Sequence, residues 1–281
     1  MSCEEQYPFA DIQLARRLEL AEANANADFV EGRAKAFPKS GATWKKIAGT
    51  YAMFDGRTSP ITQTFGLGMF QPLNDAEMNE LEQFFLERGA TICHEVSPLA
   101  DPSVLQLLNQ RAYQPIEFTS VLYRPISNDS NLAVSTNEKI SVRLSDPSEQ
   151  EAWAETARKG WSEFGELADF ILELGRVNSQ RKNALTFFAE LDGKPIATGV
   201  MSIFERVALL AGASTVPEGR RQGAQLALLE SRLRFAADKG CDIAMMGALP
   251  GSASQRNAER RHFRIAYTRT KWQRGGFVSG S

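Results

Sequence analysis

The residues of this chain best suited to chemistry form a turn rich in glycine and arginine. Residues 216–226 read VPEGRRQGAQL, and the turn contains Arg220, Arg221 and Gly223. Backbone N–H groups that converge where a helix begins favour negative charge, and glycine lets the backbone approach an anion closely. We interpret this segment as a phosphate-binding turn. The plainer alternative is an ordinary strand–turn–helix connection with solvated arginines.

The flanking segments are of the type that would position such a turn. The apolar, β-branched run at 207–216 predicts a strand, and the run from Gln225 to Asp238 predicts a helix. Lys239-Gly240 is a helix-stop signal. Neither a Walker A motif nor a GxGxxG dinucleotide motif is present. The elements predicted downstream are a buried strand at 241–249, a turn at 250–254, a helix at 254–261 and a strand at 263–272.

At these elements the chain resembles the GNAT superfamily of acyl-CoA N-acyltransferases. Arg220-x-x-Gly223-x-Gln225 occupies the place of the family's pyrophosphate loop, Q/R-x-x-G-x-G/A. Pro250-Gly251-Ser252 and Asn257 match the segment after the fifth strand, and His262-Phe263 stands where the family usually has Gly-Phe. The resemblance covers about residues 140–274.

The resemblance implies acetyl-CoA as co-substrate and assigns residues to its binding. The backbone of the strand before the turn would pair with the pantetheine arm, the turn would hold the diphosphate, and an asparagine would face CoA. The corresponding residues are Ser214, Thr215, Val216, Arg220, Arg221, Gln222, Gly223, Ala224, Gln225 and Asn257.

The sequence departs from the family pattern at three positions. Gln225 replaces the last Gly/Ala of the loop, so its side chain must point away from the phosphates. His262 replaces a glycine, and Ala258 stands where many members have a tyrosine general acid. The resemblance therefore supports CoA binding more strongly than any particular catalytic acid.

The general base is not identified by the sequence. Many family members carry a glutamate on the strand before the loop, but this strand has no carboxylate. The weak candidates are Glu205, Glu190 and Glu163, each of which is more readily explained as a solvated surface carboxylate. Because positioning alone supplies much of the rate of a two-substrate transfer, a dedicated base is not required.

The two halves of the chain repeat one order of elements. In the first half a helix ends at Gly89, and a strand, a short helix and a further strand follow. The second half repeats this order after Gly240. We predict an α/β (α+β) fold of two GNAT-like domains, each a mixed, mostly antiparallel sheet flanked by helices. The alternative is a chance similarity between two α/β segments.

The predicted domains are a degenerate GNAT-like domain at 1–128 and an acetyltransferase domain at 138–281, with a polar linker at 125–137. The first domain has Pro72, which lacks an N–H, and Asp75, which we predict to cap a helix, in place of the arginine-glycine turn. We therefore expect the first domain to have lost cofactor binding. The first long helix is predicted at 10–36, capped by Asp11.

Composition limits the class of protein. The chain has 281 residues, 43% hydrophobic and 23% charged, with a formal net charge of −2. No bulk attraction to nucleic acid follows from that charge, and no apolar run has membrane-spanning length. The first residues lack a signal-peptide pattern. The three cysteines lack metal or redox spacing, and the two histidines lie far apart, so we expect no metal site. We expect a cytoplasmic monomer or homodimer.

Two segments have alternative interpretations. The acidic, aromatic stretch at 149–173 suits a lip that binds a cationic amine, or equally an amphipathic helix pair that buries its aromatics. The six arginines and one lysine at 256–274 suit nucleic acid, but more readily a solvated face with one or two charges that contact the CoA phosphates.

The sequence thus predicts an N-acetyltransferase that moves acetyl from acetyl-CoA to an amine of an unidentified small molecule or peptide. One alternative is a non-catalytic, regulatory CoA-binding module, and another is a transferase that uses a larger acyl-CoA.

Overall fold

The structure is a computed structural model that describes residues 7–126 and 137–275. Most of the predicted linker lies outside the described residues. The helices of the described chain are α1 (Ile12–Ala36), α2 (Asp75–Leu86), α3 (Ser103–Gln110), α4 (Gln150–Gly160), α5 (Glu166–Gln180), α6 (Ala224–Asp238) and α7 (Ala253–Glu259). Its strands are β1 (Thr43–Ile47), β2 (Thr50–Phe54), β3 (Gln63–Phe65), β4 (Cys93–Val96), β5 (Tyr113–Pro125), β6 (Ile140–Leu144), β7 (Ala184–Leu191), β8 (Lys194–Phe204), β9 (Val207–Thr215), β10 (Ile243–Ala248) and β11 (Arg264–Arg274).

The chain divides into two compact units. The first contains residues 1–124 and 246–281, and the second contains residues 125–245. The last helix and strand of the chain therefore lie in the first unit. This division is based on which parts of the chain pack together. The predicted domains at 1–128 and 138–281 are instead two GNAT-like copies along the sequence, and their bounds stay a prediction.

The first unit is a mixed sheet with one parallel pair. Its strand order is β1-β2-β3-β4-β11-β5, in which β3 and β4 are parallel and all other neighbours are antiparallel. Helix α1 packs on one face through small residues such as Ala23 and Ala27, against Met53 and Phe65. A larger apolar cluster that contains Leu81, Phe85 and Leu108 joins α2 and α3 to the sheet.

The C-terminal strand is held in the first unit by a buried ion cluster. The guanidinium of Arg269 on β11 lies 2.8 Å from Glu22, 3.0 Å from Glu95 and 3.4 Å from Glu19. Tyr267 donates a 2.8 Å hydrogen bond to Glu19, and Arg269 also lies over the ring of Phe65. Burial raises the pKa values of Glu19 and Glu95, because three carboxylates surround one cation away from water.

The second unit is also a mixed sheet with one parallel pair. Its order is β10-β9-β8-β7-β6, in which β9 and β10 are parallel and the other neighbours are antiparallel. Asp192 and Gly193 form the predicted hairpin between β7 and β8, and both have positive φ angles, as a two-residue hairpin turn requires. Trp153, Phe188 and Val200 form part of the core between α4 and the sheet.

The predicted repeat is visible in backbone geometry. Gly89 and Gly240 follow α2 and α6 with φ angles of 61° and 76°, the left-handed conformation that ends many helices. Ala112 and His262 precede β5 and β11 with φ angles of 57° and 63°. The two halves thus turn in the same way at matched places, and the predicted mixed, mostly antiparallel α/β architecture is confirmed.

The start of α1 agrees with its predicted cap. The side chain of Asp11 accepts hydrogen bonds from the N–H groups of Gln13 and Leu14. In the described part of the chain, no helix combines the length and the apolar character needed to cross a bilayer.

Candidate functional site

The arginine-glycine turn joins β9 to α6 in the second unit. After β9, a short 3-10 turn (Pro217–Gly219) leads to Arg220 in extended conformation and to Arg221 with a φ of 62°. Gly223, with φ 90°, is the N-cap residue of α6. A Cβ on Gly219 would lie 2.7 Å from the Cβ of Ile196, so only glycine fits there. The backbone is therefore held close to β8 and curves before the helix starts.

The second part of this turn carries N–H groups that the described part of the protein does not use. Among the described residues, the backbone N–H groups from Arg221 to Leu226 have no hydrogen-bond acceptor, and the first helical bond is from Ala227 to Gly223. The α6 N-terminus has no side-chain cap and no acidic residue in its first turn. Unsatisfied N–H groups, together with the helix dipole, make this end of α6 suitable for an anion.

One arginine of the turn is held by an ion pair. Arg220 Nη1 lies 2.9 and 2.8 Å from the two carboxylate oxygens of Glu163, and its Nη2 donates to the carbonyl of Gly160 at 3.4 Å. Gly160 ends α4 and packs tightly on β9, since a Cβ there would lie 2.8 Å from the Cβ of Ser214. Arg220 is thereby fixed beside the turn, while Arg221 is exposed.

The β9 strand offers an open edge beside the turn. β8 pairs with one edge, while β10 pairs with the other only from Val207 to Leu209. Within the described part of the second unit, the edge at 210–215 has no strand partner. A bulge shapes it, because Gly212 and Ala213 lie opposite the single residue Gly199 of β8. Gly212 has a φ of 57°, and residues 211–213 are exposed. Such bulges bend a strand and re-aim its groups.

The three residues predicted to pair with pantetheine differ in whether their backbone N–H groups point toward β8 or toward the open edge of β9. The N–H of Val216 donates to Ile196 at 2.9 Å, so this group is already used within the sheet, and the predicted pairing of the Val216 backbone with pantetheine stays a prediction. Because hydrogen bonds alternate along an antiparallel ladder, the N–H of Ser214 also points to β8 and that of Thr215 points away. The Oγ of Ser214 is buried against Thr198, at 3.0 Å. Gln225 donates to the Oγ1 of Thr215 at 2.7 Å, which holds its side chain against the end of β9.

The corresponding helix start of the first unit is capped. Asn74, not Asp75 as predicted, is the N-cap residue of α2, and it forms a capping box with Glu77. Asn74 is the cap because its side chain accepts a hydrogen bond from the N–H of Glu77 at 3.0 Å, whereas Asp75 occupies the first helical position. The N–H of Asp101 donates to the carbonyl of Gly68 at 3.0 Å. A side-chain cap and the acidic residues Asp75 and Glu77 in the first turn disfavour an anion at this helix start.

Comparison with known proteins gives a fold but no sequence family. No protein-family model and no curated protein matches the sequence. A GCN5-related N-acetyltransferase from Kribbella flavida is 17% identical with a TM-score of 0.61, over 92% of this chain and 97% of that one. A second one, from Sphaerobacter thermophilus, is 16% identical with a TM-score of 0.53, over 76% and 73%. A tandem GNAT protein from the clavulanic acid biosynthesis pathway is 13% identical with a TM-score of 0.55, over 81% and 79%.

The chain has the GNAT fold. The fold predicted from the turn and its trailing elements is therefore confirmed, including the likeness to a tandem GNAT protein.

In the GNAT fold of this chain, two of the predicted base candidates are engaged in ion pairs. Glu163 binds Arg220 with both oxygens. Glu190 on β7 accepts from Arg143 at 2.7 and 2.9 Å, and Arg143 also binds Glu149. Hydrogen bonds from Arg143 lower the pKa of Glu149 to about 2. These carboxylates are therefore occupied by arginines.

The third candidate, Glu205, lies in the β8–β9 turn with a φ of 43°. It is exposed, and the whole of β9 separates it from the arginine-glycine turn. The nine residues of β9 span about 26 Å at about 3.3 Å per residue. Glu205 is thus far from the turn.

Asn257 and Ala258 belong to α7 in the first unit. Asn257 is exposed and Ala258 is buried. The role of Asn257 toward CoA stays a prediction, and a buried alanine offers no general acid at this position of the GNAT fold.

The acidic, aromatic segment fits the helix-pair interpretation better than an open lip. Trp153 is buried, and its Nε1 donates to the carbonyl of Phe187 at 3.0 Å. Glu151 pairs with Arg176 on α5 at 2.6 Å, which joins α4 to α5. Among the described residues, no group of three His, Cys, Asp or Glu side chains is placed to hold a metal ion.

Sequence reasoning missed one feature of this site, the arginine behind the bulge. Arg232 on α6 is only 4% exposed, and it donates to the carbonyls of Val200 at 3.0 Å and Ala211 at 3.3 Å. A Cβ on Gly199 would lie 3.1 Å from its Nη1. The available signal was an arginine among the leucines and alanines of α6, together with a glycine in a predicted strand.

Proposed function

We propose that the second unit binds acetyl-CoA at the 220–226 turn and transfers the acetyl group to an amine of a small molecule or peptide. One observation carries the proposal, namely the unused N–H groups from Arg221 to Leu226 beside an open β9 edge in a GNAT fold. A diphosphate accepts such hydrogen bonds, and Arg220 and Arg221 add positive charge beside it.

The open edge of β9 supplies a track for the pantetheine arm. An extended chain with amide groups binds a free strand edge as an added strand does. Alternation of the ladder directs the N–H of Thr215 to this edge, and the exposed bulge at 211–213 lies further along it. The thioester would then lie near the bulge, with the diphosphate at the turn.

The reaction is nucleophilic attack of a neutral amine on the thioester. The amine nitrogen forms a bond to the carbonyl carbon, and the C–S bond breaks with its electron pair going to sulfur. The amine loses one proton, and the CoA thiolate takes up one proton from solvent. Negative charge develops on the carbonyl oxygen, so N–H donors near the bulge stabilise the transition state.

The positions of the carboxylates favour catalysis by positioning. Glu163 and Glu190 are ion-paired, and Glu205 is remote from the turn. Holding amine and thioester in reactive geometry contributes a large part of the barrier reduction by itself. Solvent then accepts the proton of an amine that reaches the site unprotonated.

The same observation favours a second candidate, a non-catalytic CoA-binding module. Such a module needs the turn and the strand edge, but neither a base nor the tyrosine that Ala258 replaces. We further propose that the first unit binds no CoA, because the contact between Gly68 and Asp101 closes its turn. A cytoplasmic location and a monomeric or homodimeric state belong to the same proposal.

Turnover separates the candidates. The purified chain is incubated with acetyl-CoA and a panel of amines, and release of the CoA thiol is followed together with acetylated product. Amine-dependent product supports the transferase, whereas CoA binding without turnover of any amine supports the binding module. Absence of CoA binding contradicts both. A thermal-shift comparison of acetyl-CoA with succinyl-CoA tests whether a larger acyl group is preferred.

A further inference from the structure

Arg232 is a buried cation that has no anionic partner among the described residues. It lies on α6, in the helix that begins at the arginine-glycine turn, and no described carboxylate forms an ion pair with it. Its described hydrogen bonds all go to backbone carbonyls, including that of Leu228 at 3.2 Å. Burial lowers the pKa of Arg232 to about 10, so the guanidinium keeps its charge at neutral pH. A buried charge paired only with carbonyl dipoles is costly and invites a functional explanation.

The carbonyls that Arg232 binds belong to the β8–β9 bulge. Val200 and Ala211 form the last ladder pair before the bulge, and Nη1 bridges their oxygens. Gly199 faces the guanidinium, where a Cβ would lie within 3.1–3.4 Å of its atoms. A glycine on β8, a bulge on β9 and an arginine on α6 therefore form one fitted assembly.

This assembly lies behind the exposed segment at 211–213. The carbonyl of Ala211 shares its peptide group with the N–H of Gly212, and a cation on the carbonyl strengthens the N–H as a donor. The positive charge is fixed before reaction, so it needs no reorganisation when negative charge develops nearby.

We propose that Arg232 is a positioning residue for acyl transfer, which holds the β9 bulge and polarises its peptide groups toward the thioester carbonyl. This inference rests on the proposed function. It predicts that Arg232 contributes more to the rate of transfer than to the binding of CoA.

The test compares Arg232→Gln and Arg232→Lys with the wild-type chain. Arg234 is an exposed arginine on the same helix, and Arg234→Gln is the matched control because it removes the same charge. Three quantities are measured: the Kd of CoA by calorimetry, kcat with the best amine of the panel, and the infrared carbonyl stretch of bound ¹³C-labelled acetyl-CoA.

For Arg232→Gln we expect kcat to fall about 30-fold, below the loss for a direct oxyanion donor, with the Kd of CoA changed less than about threefold. The bound carbonyl stretch should shift back toward its value in water. Arg232→Lys retains the positive charge but lacks the planar set of guanidinium donors. It should therefore recover part of kcat and part of the shift in the carbonyl stretch. Arg234→Gln should match the wild type in all three.

Variants of Arg232 that match Arg234→Gln in kcat and carbonyl stretch would overturn the inference while CoA binding by the wild type stands. Equal losses in Kd and kcat would also overturn it, since they indicate a merely structural residue. If Arg232→Gln fails to fold, Arg232→Lys decides, and an unchanged kcat and carbonyl stretch in that variant refutes the role. If the wild-type chain binds no CoA, the proposed function itself is refuted.

Discussion

His94 makes the stability of the first unit depend on pH in a direction that can be calculated. The side chain is fully buried on β4, where Nδ1 lies 2.8 Å from the Oγ1 of Thr64 and Nε2 lies 3.0 Å from the hydroxyl of Tyr113. Tyr113 in turn donates to Glu82 at 3.1 Å. Burial lowers the pKa of His94 from 6.5 to about 3, so the folded chain holds a neutral imidazole.

The lowered pKa means that the unfolded chain binds a proton that the folded chain rejects. The contribution of His94 to the free energy of unfolding is fully present above pH 6.5 and is lost as the pH falls from 6.5 toward 3. Each pH unit below 6.5 corresponds to about 1.4 kcal/mol of stability. The first unit therefore loses about 2 kcal/mol at pH 5, and the loss approaches about 5 kcal/mol at pH 3.

The assay is urea unfolding followed by circular dichroism at pH 7.5 and pH 5.0. The wild type should lose about 2 kcal/mol more between these pH values than His94→Gln, which cannot titrate. The buried Glu19 and Glu95 have raised pKa values and act in the opposite direction, but they are common to both proteins and cancel in the difference. His262→Gln is the control, because this exposed histidine is the only other one in the chain. Equal losses in the wild type and His94→Gln would refute the buried neutral imidazole.

Two further predictions concern the ion cluster and the base candidates. Arg269→Met should lower the free energy of unfolding by about 3–5 kcal/mol because three carboxylates lose their shared cation. Glu19→Gln at pH 7 should change it by less than about 1 kcal/mol, because Glu22 and Glu95 still pair with Arg269 and no charge is left uncompensated. Equal losses in urea unfolding would contradict this view of the cluster. Glu205→Gln should leave acetyl transfer to the best amine within about twofold of the wild type, because Glu205 is exposed and the length of β9 separates it from the arginine-glycine turn. A large drop in kcat would assign it a catalytic role.

Local sequence signals predicted the elements well because their causes are local. Asp11 caps α1 because its side chain reaches the N–H groups two and three residues on, and Asp192-Gly193 suits the left-handed angles of a tight hairpin. The preference for Asn74 over Asp75 as the cap of α2 was missed because neighbouring Asn and Asp have similar capping propensities.

Features that depend on distant residues were not predictable in this way. The place of β11 between β4 and β5 is fixed by the buried pairing of Arg269 with residues on α1 and β4. The bulge at Gly212 depends on the register with β8 and on Arg232, which follows it by 20 positions in the sequence. The arginine-glycine turn was predicted because glycine content, charge and a following helix all lie in one short segment.

The central claim is that the N–H groups of the arginine-glycine turn bind the diphosphate of CoA. Gly223→Asp places a side chain and a negative charge at this turn. Gly193→Asp makes the same change at another glycine of the second unit with a positive φ, in the β7–β8 hairpin where a Cβ meets open space.

Calorimetric titration of CoA into the wild type and both variants tests the claim most directly. We predict that the wild type and Gly193→Asp bind CoA alike, and that Gly223→Asp loses at least about 100-fold in affinity, or about 2.7 kcal/mol. Equal affinity of the wild type and Gly223→Asp for CoA would contradict the claim.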